Sequence, residues 1–127
     1  MLRVPRACLE QTLAHLRAVW PEEGVGLWLG RAGRVLRVQP LANRHPTPRV
    51  AYRADPQALL EALRAAERAG LELLAIYHSH PQGPPCPSEA DRAQAYWRVP
   101  YVIFDLKGGG FRAYRLPEGE EVEVVEE

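Results

Sequence analysis

Residues 71–77, Leu-Glu-Leu-Leu-Ala-Ile-Tyr, form a nearly unbroken apolar run between Gly70 and His78. The run is too short for a useful helix and far short of the roughly 20 residues of a membrane span, and a central strand explains it best. A strand apolar on both faces must be covered on both faces, which calls for a sheet with helices packed against it. The surrounding pattern supplies such helices. Leu9, Leu13, Leu16 and Trp20 recur at helical spacing, so residues 5–18 read as an amphipathic helix ended by Pro21. Asp55-Pro56 opens a second helix with an N-cap and a first-turn proline, Leu59, Leu60, Leu63 and Ala66 give it a stripe, and Gly70 closes it.

The strands are shorter. Residues 25–30 and 34–40 read as a hairpin joined by Arg31-Ala32-Gly33, and residues 49–54 alternate like a strand after the loop 41–48. Beyond the central run, residues 81–87 hold four prolines and form a stiff loop, and Ser88 begins a short third helix that ends before Pro100. Residues 101–105, 110–116 and 121–125 read as further strands. The expected fold class is therefore α/β: one domain over residues 1–127, a mixed β-sheet flanked by helices. Its acidic end, residues 117–127, reads as an edge strand with a frayed terminus.

Charge narrows the partners. Sixteen basic and sixteen acidic side chains cancel, and the bases are scattered rather than gathered into a stripe, so neither nucleic acid nor an anionic membrane is an expected partner. Six of the acids lie in residues 116–127. Two cysteines, Cys8 and Cys86, are too few for a disulfide framework, and with no signal-like start a cytoplasmic location is expected.

The chemistry concentrates in His78-Ser79-His80, the proline-rich loop, and Ser88-Glu89-Ala90-Asp91. Histidines at i and i+2 leaving a strand project to one side, continuing a face expected to carry Leu74 and Ile76. Two imidazoles and a carboxylate delivered by a rigid loop provide the three protein ligands of a catalytic zinc site, with Asp91 the candidate third. Ser88-x-x-Asp91 is also a variant of the helix capping box, and the two roles can coexist.

These residues resemble the JAMM (MPN+) zinc metalloprotease signature, in its compact prokaryotic form: His-Ser-His-Pro, seven residues, then a serine with an aspartate three further on. The family's upstream glutamate, in a Pro-x-Glu-x-x-Gly setting, is matched by Pro21-Glu22-Glu23-Gly24-Val25-Gly26. The resemblance implies one Zn²⁺ per chain on His78, His80 and Asp91, with a catalytic water. It further implies Glu23 as general base and Ser88 as a donor to the oxyanion. Glu22 competes for the base role. Glu23 is favoured because it would share the apolar side of the strand with Val25, Leu27 and Leu29, leaving Glu22 exposed.

The implied activity is peptidase or isopeptidase cleavage at the C-terminal tail of a ubiquitin-like or sulfur-carrier protein ending in Gly-Gly. That tail is expected to thread as a strand beside Val25–Gly30, and a homo-oligomer is compatible with the sequence. Two other readings compete: a non-catalytic MPN scaffold subunit, and a RadC-type nucleic-acid-associated protein with a similar histidine pattern. Cys86 is within reach of the site as a possible fourth zinc ligand. His45 reads as a solvated loop residue, His15 as a helix surface residue without a partner, and the three tryptophans as packing anchors.

Overall fold

The computed structural model describes residues 1–127. In chain order the elements are β1 (Leu2–Val4), α1 (Arg6–Ala18), β2 (Val25–Arg31), β3 (Arg34–Leu41), α2 (Pro56–Arg68), β4 (Glu72–His80), α3 (Glu89–Ala93), β5 (Tyr101–Asp105), β6 (Phe111–Arg115), β7 (Glu120–Val122) and β8 (Val124–Glu126). The eight strands form one mixed sheet in the order β7-β6-β5-β4-β2-β3-β1-β8. β4 lies inside it, antiparallel to β2 and parallel to β5, as its apolar sequence requires. No helix is long and apolar enough to cross a membrane.

β7 and β8 stand at opposite ends of this order, yet only Glu123 separates them in the chain. The sheet therefore curls until its two ends nearly meet. α1 occupies the inside, where Cys8 and Leu16 pack with Leu2, Val35, Trp28, Tyr77 and Phe104. α2 and residues 95–99 cover the other face, against Val25, Leu27, Leu29, Ile76 and Ile103.

Several details depart from the sequence pattern. The second face of β4 does not include Leu74, which packs with Ala75 and Tyr77 on the α1 side. The register between β2 and β4 shifts between Trp28 and Leu29, so Trp28 pairs with Ala75 and Leu29 with Leu73, and the alternation slips by one residue. Residues 49–54 are not a strand. A turn spans 48–50, and the extended piece beyond it makes a single bridge, between Asn43 and Ala54. Pro46 and Pro48 withhold donors, and the Asn43 side chain takes the place of a partner strand.

β1 is too short to show a period. The acidic end contributes both β7 and β8, and its terminus is tied down: Glu127 N donates to the Val4 carbonyl and its carboxylate meets Arg34 at 2.8 Å. Finally, β2 is paired along both edges, to β3 and to β4. No added strand can run beside Val25–Gly30, so the route expected for a substrate tail is closed.

Candidate metal centre

Glu23, His78, His80 and Asp91 are all buried, and one potential ligand atom from each lies within 4.8 Å of the others. Each arrives by a local rule. His78 and His80 leave the C-terminal end of β4 on the α2 side, the face of Ile76. Glu23 stands two residues before β2 and takes the face of Val25, Leu27 and Leu29, while Glu22 is exposed. Gly26, the last residue of the Pro-x-Glu-x-x-Gly segment, must lack a side chain because a Cβ there would lie inside the phenol of Tyr77 across the sheet.

Asp91 is presented by the capping box. Ser88 Oγ accepts from Asp91 N at 3.0 Å, and Asp91 Oδ2 accepts from Ser88 N at 2.9 Å. The box thus does more than start a helix. It fixes the carboxylate so that Oδ2 lies 3.0 Å from His80 Nε2 and Oδ1 lies 3.2 Å from His78 Nε2.

The donor set fits a divalent cation on three grounds. Donor atoms about a tetrahedral zinc with bonds near 2.0–2.1 Å stand about 3.3 Å apart, close to the separations found here. His80 Nδ1 is 2.8 Å from the Pro84 carbonyl and must donate to it, so the neutral ring turns the lone pair of Nε2 toward a carboxylate. That encounter requires a cation, proton or metal, to relieve it. His78 Nδ1 and Glu23 Oε1 are buried without a hydrogen-bond partner, and His78 Nε2 has only the Asp91 carboxylate at 3.2 Å, outside good hydrogen-bond geometry, although such atoms are normally satisfied.

Titration follows the same geometry. Burial pushes the Glu23 carboxyl from its ordinary 4.5 up to about 7. Burial alone would also raise Asp91, but the two imidazoles and the Ser88 N–H outweigh it and hold the carboxyl well below the usual range. His78, wholly buried, is lowered by desolvation. His80 resists the same penalty because Asp91 and the Pro84 carbonyl raise it. Beside the cluster, Val25, Leu27, Tyr52, Ile76, Trp97 and Tyr101 line an apolar cavity of about 460 Å³.

Residues 5–117 match the family model of prokaryotic homologs of the JAB domain. The chain belongs to that family. It is 61% identical over 125 residues to the probable TtuB-protein conjugate cleaving protease of Thermus thermophilus, covering 98% of this chain and 82% of the relative. It is 36% identical over 104 residues to a desampylase of Pyrococcus furiosus, covering 81% and 73%. The fold is also that of AF2198, a JAB1/MPN domain protein from Archaeoglobus fulgidus, at a TM-score of 0.66 and 18% identity, over 100% of this chain and 97% of that one. The α/β class, the compact JAMM membership and the assignment as a hydrolase of peptide or isopeptide bonds stand.

Other expectations for this JAB-family chain fare variously. Cys86 is exposed beside Tyr114 and lies outside the cluster of four. His45 accepts from Thr47 N in a turn. His15 has a partner after all, with Nδ1 2.8 Å from the Tyr77 hydroxyl. Of the tryptophans, Trp28 is fully buried and donates to Thr12 Oγ1 at 3.0 Å, whereas Trp20 is 56% exposed. Sequence reading missed Tyr52, whose ring lies on His78 with centroids 4.4 Å apart, and Asn43, which bonds the backbone of Glu23. Neither has a local signal, since both act through a loop without regular structure.

Glu23 supplies a stability prediction for the metal-free protein. Its folded value lies above its unfolded value, so its contribution is fully present below pH 4.5 and is lost as pH rises through 7. Between pH 5 and pH 8 the metal-free protein is expected to lose about 2–3 kcal/mol through this group, and the Glu23→Gln variant to escape that loss. Urea unfolding of both proteins at the two pH values checks this. Parallel losses in the two proteins would contradict it.

Proposed function

We propose that this chain is a zinc-dependent isopeptidase or peptidase that cuts the amide bond at the C-terminal tail of a small ubiquitin-like protein. Asp91, His78 and His80 would hold the zinc, Glu23 would act as general base and Ser88 as oxyanion donor, within one domain of residues 1–127. The observation that carries the reading is the Asp91 carboxylate shared between two buried imidazoles, with an unpartnered buried carboxylate, Glu23, beside them.

When bound, zinc supplies a Lewis acid that brings the pKa of water to about 7 and polarises the scissile carbonyl. The chain's own residues do the rest. Glu23, raised to about 7, is suited to take a proton from the attacking water near neutral pH and pass it to the leaving amine. Ser88 Oγ accepts from Asp91 N, which leaves the hydroxyl proton free to donate to developing negative charge. A carboxylate that stays off the metal can perform this exchange. One that ligates it cannot.

The substrate class follows from the relatives and from the shape of the site. The two curated relatives are named for conjugate cleavage and desampylation. Glu23, His80 and Asp91 are each at most 9% exposed, so residues flanking the cut bond must be narrow, which favours a Gly-Gly tail. With both edges of β2 taken, the tail would lie along the apolar cavity walled by Tyr52 and Trp97. The reaction would take place in the cytoplasm, a reading supported by the two free cysteines.

The test uses a conjugate of a small ubiquitin-like protein whose tail ends in Gly-Gly. Cleavage after the second glycine is expected with zinc, none after chelation, and recovery on adding zinc back. Cleavage indifferent to the chelator would overturn the proposal.

A further inference from the structure

We propose that the segment Asn43–Arg53 is a clamp on the metal centre, in which Asn43 positions Glu23 and Tyr52 positions His78. The inference rests on the metal reading above and concerns residues to which that reading gives no role.

The two imidazoles are held differently. His80 is fixed at both nitrogens, by the Pro84 carbonyl at 2.8 Å and by Asp91 at 3.0 Å. His78 meets the same carboxylate only at Nε2, 3.2 Å from Asp91 Oδ1. Its Nδ1 is buried and unpartnered, although the second nitrogen of a ligating histidine ordinarily makes the hydrogen bond that sets the ring's orientation. A buried aromatic ring substitutes for that bond. Tyr52 lies against His78 with centroids 4.4 Å apart and planes 30° from parallel, so the imidazole cannot turn without displacing it.

Tyr52 in turn must be held, and it lies in no strand. The residues on either side of it are gripped by one amide. Asn43 Nδ2 donates to the Ala51 carbonyl at 3.1 Å, and Asn43 Oδ1 accepts from Arg53 N at 2.9 Å. The same Nδ2 donates to the Glu23 carbonyl at 2.9 Å, and Glu23 N donates to the Pro48 carbonyl at 2.7 Å. A single side chain therefore joins the backbone of the proposed base to the loop that presses on a proposed ligand. Glu23 stands two residues ahead of β2, where ladder pairing has not begun, so these bonds replace the strand neighbours it lacks.

The experiment compares wild type with Tyr52→Leu, Tyr52→Phe and Asn43→Ala. It reads zinc affinity by competition with a chromophoric chelator, the visible spectrum of the cobalt-substituted protein, and kcat and KM on the ubiquitin-like conjugate at saturating zinc. Tyr52→Leu is expected to weaken zinc about 10–100-fold and to shift the cobalt bands, whereas Tyr52→Phe, which keeps the ring, stays within about threefold in affinity and keeps the bands. Asn43→Ala is expected to lower kcat about 10–100-fold in zinc-saturated protein with KM changed less than about threefold.

Wild-type zinc affinity and cobalt bands in Tyr52→Leu would overturn the proposal. So would an Asn43→Ala protein that melts earlier but keeps its kcat. Should Asn43→Ala fail to fold, the two Tyr52 variants decide alone. Failure of the wild type to bind zinc is a separate outcome, since it removes the metal reading itself.

Discussion

Glu23→Gln is expected to lower kcat about 10²–10⁴-fold, the usual span for loss of a positioned general base, while zinc stoichiometry stays at that of the wild type. The substitution keeps shape and burial and removes only the capacity to take a proton. The side chain is 5% exposed and one of its oxygens has no partner, so an amide fits without breaking a bond that the folded chain makes. The split between activity and metal content is the informative part. If Glu23 were a ligand, both would fall together. If it were an incidental buried acid, neither would. Steady-state kinetics on the conjugate together with metal analysis of the same sample distinguish the three cases.

Asp91→Asn is expected to weaken zinc by at least about 10²-fold and to abolish cleavage at ordinary zinc concentrations, because the negative ligand between the two imidazoles is lost. The Ser88 capping interaction accounts for why the effect should reach beyond charge. Asp91 Oδ2 accepts from Ser88 N and faces His80 Nε2 at 3.0 Å while Oδ1 faces His78, and an amide can present only one oxygen to these three groups. Calorimetric zinc titration of the variant measures the loss. Retained affinity would show that the histidines bind metal without Asp91, and the proposed ligand set would have to be redrawn.

Much of this site could be read from the chain because its parts obey short-range rules. His78 and His80 share a face by strand alternation, and Ser88 and Asp91 meet through one helical turn. Glu23 was separable from Glu22 by the same period of two, which the buried and exposed outcomes bear out. What escaped the sequence depends on long-range closure. Leu74 changed faces because of a register shift set by the pairing of β2 with β4. β1 gains its strand character only from β3 and β8, and the single strand expected at residues 121–125 divides at Glu123 into β7 and β8 on opposite ends of the sheet. Asn43 lies in a proline-rich loop and Tyr52 in a segment whose alternation suggests a strand that does not form, and their contacts with Glu23 and His78 exist only once the loop has folded back.

The arrangement also accounts for the weakness of the scaffold reading. A structural subunit has no need for a carboxylate held between two buried imidazoles, or for a second buried carboxylate with an unsatisfied oxygen. Groups of this kind cost stability unless something compensates them. Ligand binding to the native state repays that cost, and zinc should therefore raise the melting temperature of this chain.

Crystals of the wild-type protein soaked in zinc, with anomalous diffraction collected on either side of the zinc absorption edge, put the account to its hardest trial. One peak per chain is expected, contacted by His78, His80 and Asp91, with the Glu23 carboxylate close by but not bound. A peak anywhere else, or one that Glu23 ligates while Asp91 turns away, would contradict the account.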